Sequence, residues 1–422
     1  MNLTVEQFVE KLTPAERARA ERVESVLPAL RASASEADRE GSFYLPNVEV
    51  LREAGLLGLV VPEEYGGLGG GLRDLAGAAY AMGTACPSTA MAYFFHCSAV
   101  SRGLLALEAI ERGLFTSEEI PTVQAFAEKV LRRMGSEGKF FANFASESAK
   151  SASAAVTIQS TAVPVEGGYL LTGVKSFGCN TGVADVYLVA ARMDGIETAQ
   201  GIALFHVDPN AEGVAQRTKW DAIGMRASAT HGITMENVFV PEDEALVIPA
   251  AYTRMMECSR GSFVGNQLAG PAIYLGVATS AYEFALKQLT TRTLQDTGRP
   301  IAENPYHLEL IGKMAVDLET AGLWLRRQLE LESCDEPLLP KDRVVQQWRM
   351  CKGEVCDAAF RVATHALKAC GTSATGMSAP IPRAIRELTM GLVQGFPAER
   401  GRLEAARMVV TGSEQSLFGA QQ

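Results

Sequence analysis

The stretch that decides the fold is GVKSFGCNTGVAD, residues 173–185, in the middle of the chain. It follows a β-rich segment, GGYLLTG, and runs into another, ADVYLVAARM. Two more segments of the same kind, GIALFHVD and HGITMENVFVP, follow before Pro249. Short runs of aromatic and β-branched residues, bounded by Gly, Asn, Asp and Pro, are typical of strands. The region from 138 to 247 is therefore predicted to be a β-domain.

Both flanks of this β-domain have the pattern of helices. Residues 1–137 include PNVEVLREAGLLGLVV, with apolar residues at helical spacing, and a small, apolar stretch that begins at Asp74. Helices that are apolar on most sides are usually buried. Residues 248–422 hold three or four long helical segments, which predict a bundle. The predicted fold is mainly α, with an N-terminal helical domain, a central β-domain and a C-terminal helical bundle.

Composition limits the class of protein. The chain has 422 residues, a formal net charge of -10 and 47% hydrophobic residues, enough for two or three domains. The acidic balance argues against a nucleic-acid partner, because phosphate binding needs a basic surface. The N-terminus does not resemble a signal peptide, and no apolar run has membrane-spanning length. We therefore expect a cytoplasmic protein that does not enter a membrane.

The eight cysteines and five histidines are scattered along the chain. Only Cys351 and Cys356 are close in sequence, and no histidine stands beside them. A structural zinc site needs several such ligands at short spacing. We expect buried free thiols and no metal site.

Five stretches resemble motifs of the acyl-CoA dehydrogenase superfamily, in the same order. The opening stretch matches G-x-K-x-W-I-T-N-x-x-x-A-D without a gap, and GMRASAT, residues 224–230, matches G-M-R-x-S-x-T. The others are LREAGLLGLVVPEEYGGLG, GRPIAENPYHLELIGKM and ALKACGTSATGMSAPIPRAIRE. The resemblance implies that superfamily's fold, with a small β-barrel in the middle and a C-terminal four-helix bundle. It also implies FAD, bound between the β-domain and the bundle, and a homotetramer or homodimer.

The resemblance assigns several residues to the flavin. Ser146 stands where the family has a hydroxyl that bonds the polar edge of the flavin ring. Phe177 replaces a Trp beside that ring and keeps an aromatic face, while Cys179 replaces a Thr that bonds the cofactor. Arg292 corresponds to the cation that reaches the FAD pyrophosphate of the neighbouring subunit. The full set of expected cofactor-binding residues is Phe144, Ser146, Ser151, Phe177, Cys179, Arg292, Gly371 and Thr372.

Other positions depart from the family. Its glycine-rich phosphate turn becomes Ala149–Ser153, its second C-terminal glycine becomes Thr372, and a glutamine becomes Pro305. An arginine on the CoA side falls at Gln267. The sequence leaves a CoA thioester, a carrier-protein thioester and a free aromatic compound open as substrates.

The expected catalytic turn, GLVQGFPAERGRLEAARM, lacks the family's glutamate. This glutamate normally removes the substrate α-proton while a hydride passes to the flavin. Counted forward from the preceding helix, the family's Tyr-Glu-Gly falls on Gln394, Gly395 and Phe396. Counted back from EAARM, the glutamate falls at Arg400. Neither an amide, a glycine nor an arginine can accept the proton.

Two further positions bear on the missing base, and a third residue bears on the site around it. The family's second location for it falls at Asn266, again an amide. Glu399 is the carboxylate nearest to the turn and could act as a relocated base. His96, which follows three aromatic residues on an apolar helix, could face the flavin or the substrate.

Four interpretations remain open. The first is an atypical flavin oxidation, such as activation of O2 by reduced flavin to oxygenate a thioester or an aromatic substrate, with a flavin reductase as partner. The second is α,β-dehydrogenation of an acyl thioester with Glu399 as base and an electron-transfer flavoprotein as acceptor. The third is an inactive subunit of a hetero-oligomer, and the fourth is a scaffold without FAD.

Overall fold

The computed structural model describes residues 4–147, 158–259, 268–394 and 397–412. The helices found there are α1 (Pro14–Glu40), α2 (Pro46–Glu53), α3 (Leu72–Ala85), α4 (Pro87–Glu111), α5 (Ile120–Met134), α6 (Ala251–Glu257), α7 (Ala269–Thr291), α8 (Pro305–Ser333), α9 (Lys341–Cys370), α10 (Pro380–Val393) and α11 (Ala398–Thr411). The strands are β1 (Phe141–Phe144), β2 (Thr161–Val165), β3 (Gly168–Lys175), β4 (Val186–Met193), β5 (Ile202–Val207), β6 (Val214–Gln216), β7 (Ile233–Pro241) and β8 (Ala245–Leu246). Helices thus precede and follow a block of strands, which confirms the predicted fold class.

The strands form one curled sheet in the order β6-β7-β3-β2-β4-β5-β8. β1 and β2 both run parallel to β4 and pair with successive parts of it. The pairing of β3 with β7 shifts register between Leu171 and Gly173, which indicates a β-bulge. Beyond this bulge, β3 ends at Lys175 and the chain enters the Gly-containing turn of the opening stretch.

The N-terminal helices pack around α4, which is buried along most of its length. Within the described residues, α4 is the helix long and apolar enough to cross a membrane, and 83% of its most apolar window is buried inside the fold. A core helix passes the same test of length and composition. The burial of α4 on nearly all sides matches its almost uniformly small and apolar sequence.

The N-terminal helices and the C-terminal bundle join at two glycines. A Cβ on Gly83 of α3 would lie 2.5 Å from the Ile273 carbonyl oxygen, and one on Gly276 of α7 would lie 2.2 Å from the Tyr80 carbonyl oxygen. Side chains larger than hydrogen would push the two helices apart. These two glycines therefore set the close approach of α3 to α7.

The C-terminal bundle is built around α9, which contacts α7, α8, α10 and α11. Cys351 and Cys356 lie on its buried side and are free thiols, as predicted. Gly353 lets α11 approach α9 closely, because a Cβ there would lie 2.3 Å from the Cα of Ala398. The turn between α10 and α11, the expected catalytic turn, is thereby fixed at both ends against α9.

Candidate active site

The turn after β3 presents an aromatic ring to the surface. Phe177 has a positive φ of 57° and its side chain is 64% exposed. Its ring meets Trp220 edge to face, with the ring centroids 6.1 Å apart. A positive φ is uncommon for a bulky residue and often marks a functional position. Phe177 thus offers one open face to a planar ligand.

Phe144 supports this turn from below. It is buried at the end of β1 and contacts Tyr187 edge to face, with centroids 4.9 Å apart. A Cβ on Gly178 would lie 1.8 Å from Cε1 of Phe144, so only glycine fits above the ring. Phe144 therefore positions the turn from within the core.

A chain of hydroxyl groups and a thiol follows Phe177. The Cys179 thiol lies 3.0 Å from the Thr230 hydroxyl, which lies 2.7 Å from the Ser228 hydroxyl. Ser228 donates to the Met225 carbonyl at 2.7 Å, so the hydrogen bonds run from Cys179 towards Met225. Burial raises the pKa of Cys179 to about 12, which keeps the thiol protonated. Cys179 is thus a buried hydrogen-bond donor to Thr230.

A buried ion pair fixes the segment that carries Ser146. The amide of Ser176 donates to the Ser146 carbonyl at 2.9 Å. The next residue, Glu147, pairs with Lys175 at 2.5 Å and accepts from the Ser160 amide at 3.0 Å. Burial opposes the charge on Glu147, but Lys175 and the backbone amides outweigh it and lower the pKa of the carboxyl. The side chain of Ser146 itself is exposed beside Phe177's turn.

The described part of the catalytic turn forms a second polar group. Tyr274 of α7 donates from its hydroxyl to Oε1 of Gln394. Nε2 of Gln394 lies 3.9 Å from the Met91 sulfur on α4. Lys352 of α9 donates to the carbonyl oxygens of Gly391, at 2.8 Å, and of Gln394. Lys352 thus caps the end of α10 and holds Gln394 between α4 and α7.

The polar group around Cys179 lies close to the polar group around Gln394, because both neighbour Tyr274. Burial first, then the neighbouring Cys356, Glu387 and Cys179, raise the pKa of Tyr274 well above its ordinary value. The Tyr274 hydroxyl therefore stays protonated, and Cys179 is one of its neighbours. The structure thus brings Cys179 and Gln394 together across Tyr274.

His96 has a different position from the one predicted. Its Nδ1 accepts the Phe141 amide at 3.0 Å, so the neutral ring carries its proton on Nε2, 2.8 Å from the Leu57 carbonyl oxygen. Burial lowers its pKa to about 4. Both ring nitrogens are occupied by backbone groups, which leaves neither for a ligand. The geometry therefore argues against a catalytic role for His96. Its hydrogen bond to the Phe141 amide instead joins α4 to β1.

The two charged candidates near the turn also lie away from this group. The Glu399 side chain is 80% exposed at the start of α11 and pairs with Arg402 at 3.5 Å. Arg400 pairs with Glu404 at 2.9 Å. The positions Ser151, Gln267, Asn266, Gly395 and Phe396 lie outside the described residues.

The remaining candidates follow the ends of α7 and α9. Arg292 follows α7, while Gly371 and Thr372 follow α9. Arg292 is near enough to Cys370 to oppose the increase of that thiol's pKa caused by burial. Gly371 has a positive φ of 69° and an open space where a Cβ would stand. Arg292 thus lies near the end of α9, where Gly371 and Thr372 follow.

One buried acid was missed by the sequence analysis. Glu387 of α10 lies on the same helix face as Ile381, Ala384 and Leu388, which are buried. Its carboxylate accepts the Met225 amide. Burial raises its pKa to about 7, with the Met225 amide opposing this increase. A glutamate on the apolar face of a helix was the signal that could have identified it.

Three domain models of one protein family match this chain. The acyl-CoA dehydrogenase N-terminal domain matches residues 13–109, the middle domain residues 142–238 and the C-terminal domain residues 268–393. Together these matches cover more than half of the chain. The protein belongs to the acyl-CoA dehydrogenase family and is a flavin-dependent oxidoreductase, as the sequence predicts.

Individual relatives are distant. L-evernosamine nitrososynthase from Micromonospora sp. is 32% identical over 68% of this chain, and the match spans 65% of that relative. Dibenzothiophene monooxygenase from Rhodococcus qingshengii is 28% identical over 74% of each chain. The solved structure of KijD3 in complex with FMN and dTDP-3-amino-2,3,6-trideoxy-4-keto-3-methyl-D-glucose has a TM-score of 0.79 and 24% identity. It covers 98% of this chain and 97% of KijD3.

Replacing Glu387 with Gln should change how stability depends on pH. The folded-state pKa of about 7 exceeds the ordinary value of 4.5, so the stabilisation linked to protonated Glu387 is complete below about pH 4.5 and is lost as pH rises to about 7. The free energy of unfolding of Glu387→Gln, minus that of the wild type, should grow by about 3 kcal/mol over this window. Urea unfolding at pH 4.5, 6 and 8 measures it, with the exposed Glu399→Gln as control. A constant difference would show that Glu387 titrates normally.

Proposed function

We propose that this chain is an FAD-dependent monooxygenase that oxygenates a thioester or an aromatic substrate with O2. The observation that carries the proposal is the chemistry of the described catalytic turn. Gln394 occupies the space between Tyr274 and Met91, and Glu399 points to solvent. Proton abstraction from a thioester needs a positioned base of suitable pKa. The described side chains that meet at Gln394 provide none.

The side chains around Gln394 and Cys179 suit a bound flavin. A bound flavin, reduced by a partner enzyme, would supply the two electrons with which one atom of O2 enters the substrate and the other leaves as water. Phe177 would stack on its ring, and the exposed Ser146 hydroxyl would bond its polar edge. Tyr274 and Cys179 stay protonated because of their burial and donate to Gln394 and Thr230, so neither acts as a base. Burial of these donors also excludes water from the reacting atoms.

The relatives of this chain support the same proposed function. A nitrososynthase and a dibenzothiophene monooxygenase share the fold and a quarter to a third of the matched sequence. The runner-up is an acyl-CoA dehydrogenase with Glu399 as its base, which the family name favours. The exposure of Glu399 and its contact with Arg402 weigh against this alternative.

The two functions differ in how they reduce the flavin. The purified flavoprotein, mixed anaerobically with a panel of acyl-CoAs, should keep its oxidised flavin spectrum. With NADH, a flavin reductase, O2 and a panel of aromatic substrates, it should form a product carrying one atom of labelled oxygen. Bleaching by an acyl-CoA would overturn the proposal, and loss of bleaching in Glu399→Gln would then identify the relocated base. A colourless protein that binds no added flavin would exclude both functions.

The exposed ring of Phe177 should contribute to flavin affinity. Phe177→Ala should raise the flavin Kd by roughly tenfold, because a stacked aromatic pair contributes about 0.5–1.5 kcal/mol beyond the area it buries. Phe177→Trp should preserve binding, and Phe239→Ala, which removes an exposed aromatic of β7, serves as control. Fluorescence titration gives the Kd, and chromatography of the released flavin distinguishes FAD from FMN. Unchanged affinity in Phe177→Ala would remove its role.

We also propose that the chain is a cytoplasmic homodimer or homotetramer that associates through its bundle. Leu308, Val316 and Leu323 lie on one side of α8, and each is more than half exposed. Exposed apolar patches of this kind often mark interfaces. Sedimentation should give a multiple of the 45.2 kDa chain mass. A monomer at micromolar concentration would contradict this proposal.

A further inference from the structure

Arg102 is a buried cation in the middle of α4. The residue is only 2% exposed, and its guanidinium lies over the Tyr252 ring, 5.4 Å from the centroid. Nη1 donates to the Ser101 hydroxyl at 3.1 Å. Within the described ranges, Nε has no hydrogen-bond partner. A guanidinium carries five N–H donors, so this environment satisfies only a small part of them.

No carboxylate balances this charge among the residues that the structure describes. Arg349, which is equally buried, pairs with Glu404 at 3.1 Å, and Arg254 pairs with Glu119 at 2.9 Å. The sequence segments outside the described ranges contain a single acidic residue, Glu414, near the end of the chain. A buried charge without a counterion is costly, so buried charges in proteins are usually paired. Within the described residues, the charge of Arg102 is therefore left without an anionic partner.

The position of Arg102 connects it to the candidate active site. Met91, Phe95, Ser98 and Arg102 follow one another at helical spacing and share one face of α4. Met91 contacts Gln394 at the start of this stripe, and Arg102 stands about 16 Å further along the helix axis, at 1.5 Å per residue. Long side chains of a helix lean towards its N-terminus, which brings the guanidinium closer to Met91.

Polar groups line the stripe beside Arg102. The Ser98 hydroxyl accepts the Asn143 side-chain amide at 3.1 Å and is buried. Asn143 lies on β1, one residue before Phe144, and so belongs to the strand that supports the flavin-facing turn. The middle of the stripe thus contacts the sheet, while its two ends meet Gln394 and Tyr252 of α6.

We propose that Arg102 binds an anionic oxygen group, a carboxylate or a phosphate, at the end of the substrate remote from the reaction. The planar guanidinium suits such a group because it donates two parallel hydrogen bonds to it. This inference rests on the proposed reaction site at Gln394 and adds the class of substrate: an elongated acid whose charged end lies along α4. A neutral analogue of this acid would leave the charge of Arg102 without a partner and would therefore bind much less tightly.

The test uses the purified flavoprotein without turnover, so that it is independent of the reaction. Thermal unfolding is followed while succinate or inorganic phosphate is added at constant ionic strength, with chloride as reference. The wild-type Tm should rise in a saturable manner with one of these two anions and not with chloride. A response to succinate alone identifies a carboxylate, and a response to phosphate alone identifies a phosphate.

Two variants and a control separate binding from structure. Arg102→Met should lose the anion response and, in anion-free buffer, unfold at the wild-type Tm or above it, because it removes an uncompensated charge. Arg102→Lys should retain a response with a Kd raised at least tenfold. Lysine keeps the positive charge but lacks the planar guanidinium that donates two parallel hydrogen bonds. Arg254→Met is the matched control. Arg254 also stacks on a ring, that of Phe115 at 4.3 Å, but it is ion-paired, so its loss should lower the Tm and preserve the anion response.

The inference is overturned if neither anion raises the wild-type Tm above the chloride reference. It is also overturned if Arg102→Met keeps the full response, or loses as much stability as Arg254→Met. These results would leave the flavin chemistry untouched, because that chemistry is read from the spectrum and the labelled product.

Discussion

The buried pair of Glu147 and Lys175 fixes the place at which the sheet presents its functional turn. Lys175 ends β3, and Glu147 lies beyond β1, so the 2.5 Å contact ties two strands together immediately before Phe177. A buried ion pair is stable only when its remaining donors and acceptors are satisfied. Here the Gln159 and Ser160 amides and the Ser160 hydroxyl complete the shell of Glu147. The exposed, strained conformation of Phe177 depends on this support.

Buried polar groups elsewhere join the layers of the molecule rather than perform chemistry. His96 connects α4 to Leu57 and to the start of β1, and Asn180 donates to the carbonyl oxygens of Ala92 and Phe141. Glu387 connects α10 to the Met225 amide of the β-domain. Each such contact fixes one layer against another more specifically than apolar packing can, because a displaced partner would leave a buried polar group unsatisfied. The candidate active site lies where these layers meet.

The fold could be predicted because periodicity and turn residues are local properties of the sequence. Helix α3 shows the limit: Asp74 was expected to open it, whereas the helix begins at Leu72 and Asp74 accepts the Gly71 amide at 2.8 Å from inside the first turn. The site was harder to predict because its partners are distant in sequence. His96 was a candidate from its apolar surroundings, but only the folded chain shows that Leu57 and Phe141 occupy its ring. The roles of Phe177, Cys179 and Gln394 stay predictions, although the structure brings them to one region.

The electrostatics of the catalytic turn explain why the fold can serve a different reaction. In a dehydrogenase this turn must stabilise a carboxylate that gains a proton. Here Lys352 donates to the carbonyl oxygens at the end of α10. The neutral side-chain amide of Gln394 accepts a hydrogen bond from the Tyr274 hydroxyl. A tyrosine whose pKa is raised by burial cannot replace the carboxylate as a base near neutral pH. A buried environment without a base suits oxygen chemistry at a reduced flavin, in which the substrate needs to be held rather than deprotonated. If the substrate carries its own charge, that charge must be compensated away from the flavin, and Arg102 is the buried cation placed to do so.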